Sequence, residues 1–235
     1  MPPLTLVVAA TLQNGIGHAG RLPWTLPREM AYFVKVTTAA PEGHINACIM
    51  GRKSWESIPP RFRPLKGRCN VVVSRQEGYE LGVQLNSTSP TTLSPSFETA
   101  LSSLSSLSSS STSLPSLSPT ATATTTSALP PIHRAFLIGG ATLYEQALEL
   151  PETTHILLTR VLSPAYECDV FLPDFANANT TKGGKGAWRR AGHAELEEWV
   201  GFEVPEGVQE EKGAAYEFQM WVRDSVAHDG NVAQE

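Results

Sequence analysis

The sequence predicts an α/β protein: a single domain built on a mostly parallel sheet, closed by an antiparallel strand near its C-terminus. Three observations predict it. Uncharged apolar runs at residues 4–10 (LTLVVAA), 46–50 (NACIM), 69–73 (CNVVV) and 135–138 (AFLI) read as strands buried on both faces, as in a parallel sheet. Two of these runs pass through glycine into a helical stretch, at Gly51-Arg52-Lys53-Ser54 and at Gly139-Gly140-Ala141-Thr142. Near the C-terminus, Tyr216, Phe218, Met220 and Val222 alternate with Glu217, Gln219, Trp221 and Arg223, the pattern of a half-exposed antiparallel strand.

Bulk properties narrow the function. A chain of 235 residues holds one large domain or two small ones. A net charge of −5, with no run of basic residues, argues against nucleic acid as the main partner. The apolar block at 4–10 follows no basic residue and is too short to span a bilayer, so neither a secretory signal nor a membrane anchor is expected. Cys48, Cys69 and Cys168 are odd in number and lack metal-ligand spacing, which favours a reducing, cytoplasmic compartment.

After the first strand comes Gly15-Ile16-Gly17-His18-Ala19-Gly20, formally G-x-G-x-x-G. A dinucleotide fingerprint must open a helix, whereas Leu22-Pro23-Trp24 follows here, so the better reading is a mobile glycine-rich loop. A helix then starts at Thr25 or Leu26, with Pro27 in its first turn, and runs to Thr37 or Thr38. It carries Glu29, before which the chain has no Asp or Glu. Tyr32 and Phe33 lie three and four positions on and share its face. Turned inward, that face puts a carboxyl in an apolar pocket, where desolvation raises its pKa and lets it hold a proton near neutral pH. Turned outward, Glu29 is a solvated acid favouring the helix dipole.

At Gly51 to Ser54, backbone N–H groups at a helix start, cations and a hydroxyl coincide, a combination suited to an anion. Residues 60–67 form a proline-rich basic connection, Arg68 follows, and Ser74-Arg75 ends the strand at 69–73. Ligands of open α/β sheets bind beyond the carboxyl ends of strands, so Arg75 is placed to meet a further phosphate. A short strand is expected at 82–86 and an amphipathic helix at 96–104. Eighteen of the 27 residues from 101 to 127 are Ser or Thr, and no Asp, Glu, Lys or Arg occurs from 99 to 132. Residues 105–131 therefore read as a disordered insertion inside one domain of residues 1–225, with 226–235 a flexible tail. The second glycine junction leads into a helix at 143–150, followed by a strand at 155–162 that carries Thr159 among aliphatics. A short segment at 168–175 and residues 187–190 precede the closing strand.

The two glycine junctions suit the two sides of a pyrophosphate, and Arg75 suits the 2′-phosphate that separates NADP from NAD. Trp24, Phe33, Ile58 and Leu65 are candidates for an apolar slot that takes a flat ring, and Arg68 is suited to a carboxylate at its mouth.

Taken together, VVAA (7–10), NGIG (14–17), LPW (22–24), Glu29 with Phe33, MGRKSWESIP (50–59), RPLKGR (63–68), NVVVSR (70–75), IGGATLYEQAL (138–148), LLTR (157–160), CDVFLPDF and YEFQMWV resemble the dihydrofolate reductase family in order and spacing. The resemblance covers nearly the whole chain except the Ser/Thr insertion and the tail. It implies an eight-stranded mostly parallel sheet with a C-terminal antiparallel strand and about four flanking helices. It also implies NADPH-dependent reduction of 7,8-dihydrofolate to 5,6,7,8-tetrahydrofolate by a monomer open to folate-analogue inhibitors. On that resemblance Glu29, Trp24 and Thr159 are catalytic. Val7, Val8, Met30, Phe33, Ile58, Leu65, Arg68, Ile138 and Tyr144 surround substrate, with Arg68 on its glutamate tail. Ala9, Ile16, Gly51, Arg52, Lys53, Ser54, Val73, Ser74, Arg75, Gly139, Gly140, Ala141, Thr142, Leu143 and Tyr144 hold NADPH, and the loop at 14–24 closes over nicotinamide. The chain departs from the family pattern in three places. Trp24 and Glu29 are five apart, as in bacterial members, although the acid is Glu as in eukaryotic ones. Met30 stands where Phe or Leu is usual, and the insertion is uncommon. Two other readings are a pteridine or pyrimidine reductase of the same fold, against which Arg68 argues, and a catalytically silent NADPH-binding regulator, against which Glu29 argues.

Overall fold

In the computed structural model, residues 3–83, 88–109, 130–176 and 187–224 are described. One twisted sheet organises them. Its strands are β1 (Leu4–Thr11), β3 (Ile45–Gly51), β4 (Arg68–Val73), β5 (Thr91–Ser94), β6 (Ile132–Leu137), β7 (Thr153–Ser163), β9 (Trp188–Arg190), β10 (Val208–Glu211) and β11 (Ala214–Arg223). The order is β10-β11-β7-β1-β6-β3-β4-β5, an eight-strand path, and β9 pairs with the far end of β11. From β7 to β5 every pairing is parallel, while β11 runs antiparallel to β7, β9 and β10. The eight-strand, mostly parallel architecture with a closing antiparallel strand is the one expected, with β9 as an addition. A second small sheet joins β2 (Gly15–Gly17) to β8 (Val170–Phe171).

Helices cover both faces, and the two-residue period of β1 distributes the core between them. Leu4, Leu6, Val8 and Ala10 pack with Phe97, Ala100, Leu101 and Leu104 of α3 (Phe97–Ser109) and with Leu143, Tyr144 and Ala147 of α4 (Ala141–Leu148). Val7 and Ala9 turn the other way. They meet Trp24, Tyr32 and Val36 around α1 (Pro27–Thr38), Trp55 of α2 (Arg52–Ser57), and Leu196 and Val200 of α5 (His193–Val200). Each fully buried Leu or Ile here stabilises the fold by about 1.5–3 kcal/mol.

Several expectations meet a different structure. The strand expected at 82–86 is absent from its described part: Gly82 has φ 66°, Val83 is a bend, and residues 84–87 lie outside the described set. The edge strand is Thr91–Ser94, next to Pro90, where a short sheet edge tolerates a residue without an N–H. Helix α3 begins one residue later than expected and continues to Ser109, so its last turn takes up residues 105–109 of the expected insertion; residues 110–129 and the tail from 225 lie outside the described residues. The glycine-rich loop contains strand β2. A Cβ on Gly15 would lie 2.5 Å from Cys168 Sγ, so glycine is what lets the two segments pair this closely. Helix α5 and strand β10 were not expected. Among the described residues, no helix is long and apolar enough to cross a membrane.

Candidate active site

Helix α1 starts with Pro27 at its N-terminus, which needs no N–H there and has its φ already set for a helix. Glu29 falls in the first turn with its side chain inward, 7% exposed. Thr159 on β7, opposite Ala9 of β1 and Phe218 of β11, donates its hydroxyl to Glu29 Oε1 at 3.1 Å. Burial pushes the Glu29 carboxyl up to about 7, the Thr159 hydrogen bond opposes that, and the nearby Glu211 carboxylate adds to it. Its titration is thus moved toward neutral pH, which suits the group to accepting or releasing a proton there. Trp24 packs into the same layer, 5% exposed, edge-on to Tyr166 at 5.5 Å, with its indole Nε1–H buried and without a protein acceptor.

The same face of α1 leads to a cation. Glu29, Phe33 and Thr37 are spaced i, i+4, i+8, so they line one side of the helix over roughly 12 Å. Thr37 Oγ1 accepts from Arg68 Nη1 at 2.8 Å, and the Lys66 carbonyl accepts from Arg68 Nε at 3.0 Å. The guanidinium lies 6.0 Å from the centre of the Phe33 ring. Arg68 is only 4% exposed, so it is held inside the wall rather than at an open mouth, and burial lowers its pKa. Leu65 is buried beside this face, Phe33 and Ile58 are partly buried, and Met30 is 43% exposed.

The glycine junctions meet at adjacent strand ends. Gly51 donates its N–H to the Gly139 carbonyl at 2.8 Å, and α2 and α4 start immediately afterwards. Gly139 has φ 127°, a conformation nearly reserved for glycine, and is joined to Gly140 by a cis peptide. A Cβ on Gly139 would stand 2.9 Å from Ser54 Oγ, and one on Gly140 would stand 3.3 Å from it. The result is a side-chain-free notch rimmed by a hydroxyl and two helix starts. Such a notch fits the pyrophosphate of a dinucleotide, and Gly139, Gly140, Ser54 and the first turns of α2 and α4 would hold it. One strand further out, Val73 opposes Gly51, Ser74 is buried with its Oγ accepting from the Gln76 N–H at 3.1 Å, and Arg75 is exposed.

Of the remaining residues singled out in the sequence, Tyr144 is buried on the α4 side and donates its hydroxyl to the Val7 carbonyl at 2.9 Å, tying α4 to β1. Val7 and Ala9 face the Glu29 layer, but the Val8 side chain packs on the opposite face. Ile138 is partly buried on the Glu29 side, and Ile16 packs against the other layer. Leu143 is buried against Gly51, Ala141 starts α4, and Thr142 is exposed on it. Lys53 is exposed, and Arg52 forms an ion pair with Glu56 at 2.9 Å. Two residues not singled out also bear on the site. Glu211 reaches α1 from the end of β10, and Arg160 donates to Asn14 Oδ1 at 2.9 Å, tethering the glycine-rich segment. Arg160 lies next to Thr159 in the LLTR run. For Glu211 the only local signal is the Lys212-Gly213 turn beside it.

A mostly parallel α/β sheet with two glycine junctions meeting at adjacent strand ends, and a buried protonatable acid on a helix that covers the sheet, is the arrangement of a nucleotide-dependent oxidoreductase class. The sequence model of the family described as dihydrofolate reductase matches residues 3–186. The dihydrofolate reductase of Cryptococcus neoformans is 45% identical over 244 residues, covering 94% of this chain and 95% of that protein. The dihydrofolate reductase of Pneumocystis carinii is 39% identical over 226 residues, covering 94% and 97%. Among solved structures, Schistosoma mansoni dihydrofolate reductase superposes with a TM-score of 0.67 at 27% identity, over 95% of this chain and 99% of that one. The chain belongs to the dihydrofolate reductase family.

Proposed function

We propose that this protein reduces 7,8-dihydrofolate to 5,6,7,8-tetrahydrofolate with NADPH, and so supplies one-carbon metabolism for thymidylate, purine and amino-acid synthesis. The observation that carries this reading is the inner face of α1, with a protonatable carboxyl at one end and a fixed guanidinium at the other. A flat heterocycle that must gain a proton, joined through a ring to an anionic tail, matches that spacing.

Glu29 would hydrogen-bond the pterin amino group and ring nitrogen, with Thr159 orienting the carboxyl. It would hold a proton near neutral pH and help deliver it to N5 through water, while the indole Nε1–H of Trp24 offers that water a donor. Arg68, oriented by Thr37 and Lys66, would take the tail carboxylate. Val7, Phe33, Ile58 and Leu65 would enclose the rings, with Met30 at the rim and Ile138, just past the end of β6, on the same side, whereas Val8, whose side chain packs on the opposite face, would contribute no side chain. NADPH held at the glycine junctions would provide the hydride for C6. Gly51 to Ser54 and Gly139 to Tyr144 would grip its phosphates, Ala9, Ile16 and Val73 would line its course, and Ser74 with Arg75 would select the 2′-phosphate. Closure of the segment at 14–24 would exclude water. Free Cys48, Cys69 and Cys168 support a reducing, cytoplasmic setting, and we infer a monomer.

The test is loss of NADPH absorbance with dihydrofolate, with NADH in parallel. The parent protein should consume NADPH quickly and NADH poorly, and Glu29→Ala should lower the rate by roughly 10²–10⁴-fold, the usual share of acid–base catalysis. A folded protein that binds NADPH but does not oxidise it with dihydrofolate would overturn the assignment.

A further inference from the structure

The first turn of α1 is fastened from a point far along the chain. Strand β10 turns into β11 through Lys212 and Gly213, both at positive φ (48° and 80°), so that Glu211 pairs directly with Ala214. A two-residue turn of this hand matches strand twist and fixes the register, which sets the direction of the last side chain of β10. That side chain, Glu211, is 9% exposed. Its two oxygens accept from the backbone N–H of Arg28 at 2.9 and 3.1 Å. Arg28 is the second residue of α1, where backbone N–H groups have no partner within the helix, and Leu26 at the N-cap supplies no side-chain cap. Tyr216 donates its hydroxyl to Glu211 Oε2 at 3.2 Å. The Arg28 guanidinium stands 3.8 Å from Glu211 Oε1 and donates to the Glu210 carbonyl.

We propose that Glu211 is a positioning residue for Glu29: it caps α1 in place of a local N-cap side chain, fixes the backbone one residue before the acid, and presents that acid with a second negative charge. The inference rests on the role given to Glu29 above and adds a residue that acts through it without touching substrate. The groups around the pair agree. Glu211 is the charged neighbour that raises the Glu29 carboxyl. Tyr216 on β11, hydrogen-bonded to Glu211, is pushed up to about 12 by burial and then by Glu211 and, less, by Glu29, with Arg28 opposing. Tyr32 on α1 is pushed up by burial and then by Glu29. Thr159 on β7 completes the polar surroundings and acts in the opposite direction.

A plain helix cap and a residue that also tunes Glu29 separate in Glu211→Gln, which keeps an acceptor for Arg28 and removes the charge. The Glu29 carboxyl is followed by NMR of carboxyl-labelled protein without ligands, and the alkaline limb of the hydride-transfer rate is followed in the complete enzyme. In Glu211→Gln both midpoints should fall by roughly a few tenths of a pH unit, with the melting temperature at pH 6 little changed. Where Gln does not fold, Glu211→Asp withdraws the carboxylate by one methylene and should move the Glu29 midpoint down by less. An unmoved midpoint in either folded variant overturns the inference, including where the melting temperature drops, since Glu211 would then be a cap alone. The NMR reading does not depend on turnover, so a parent protein that fails to reduce dihydrofolate would remove the proposed function and leave this result standing.

Discussion

The two ends of the site are made of opposite materials. At the acid end, Glu29, Thr159, Trp24 and Glu211 are side chains in a buried layer, and chemistry comes from placing polar groups where water is scarce. At the glycine end, Gly51, Gly139 and Gly140 contribute the absence of side chains, and recognition falls to backbone N–H groups at helix starts. One end gives up stability for a perturbed charge. The other gives up conformational restriction for space. Substitutions that restore what each end gave up therefore have opposite consequences for the fold.

The largest expected effect is at the acid end. A folded-state value of about 7, against the ordinary carboxylate value of 4.5, means that the folded protein binds Glu29's proton more tightly than the unfolded chain does. The favourable contribution is fully present below 4.5 and is lost as pH rises through 7. Glu29→Gln, which cannot ionise, should therefore match the parent in stability near pH 4.5. By pH 8 it should exceed it by on the order of 2–3 kcal/mol. Denaturant melts at the two pH values check this. Equal stability at both would mean that the Glu29 carboxylate is not desolvated and that the two ends do not differ in kind.

The glycine end should respond the other way. Gly139→Ala places a Cβ 2.9 Å from Ser54 Oγ at φ 127°, so either the notch shifts or the backbone is strained. Strain of this kind costs on the order of 1–3 kcal/mol, and NADPH affinity should fall about tenfold or more. Fluorescence titration with NADPH measures the affinity, and the Glu29 midpoint should stay where it is. Unchanged affinity would show that the dinucleotide does not use this notch.

The two ends also differ in how far they could be read from the sequence. The glycine junctions are local: strand, glycine and helix follow one another in the chain, and the structure closes them as expected. Helix α1 was legible for the same reason, through Pro27 and the spacing of Glu29, Tyr32 and Phe33. That Gly20 opens no helix was legible too, since α1 starts only at Pro27. What escaped was set by distant partners. Strand β5 is four residues long and earns its place as an edge on β4. Helix α5 carried a readable signal, Leu196, Trp199 and Val200 between Gly192 and an αL Gly201, but it stands outside the glycine-motif pattern. Glu211 looks like any acid in the run Gln209-Glu210-Glu211-Lys212. Only pairing in the β10–β11 hairpin and contact with α1, 183 residues away, distinguish it. Arg68 shows the same limit, because its cation was legible whereas its clamping by Thr37 was not.

The smallest effect tests whether the acid end is a balance rather than a simple burial. Thr159 and Glu211 act on Glu29 in opposite senses: the hydroxyl stabilises the carboxylate, and the second charge opposes it. Thr159→Val keeps the shape of the side chain and removes the donor. A hydrogen bond to a charged group contributes about 1.5–3 kcal/mol at most, and part of that is recovered as the carboxyl takes up a proton instead. The Glu29 midpoint should therefore rise by a few tenths of a pH unit to about one, shifting the alkaline limb of the rate upward while NADPH affinity stays constant. Combined with Glu211→Gln, the two shifts should partly cancel. A double variant whose midpoint matches that of Thr159→Val alone would show that Glu211 exerts no charge effect on the acid, and that desolvation with a single hydrogen bond accounts for the whole perturbation.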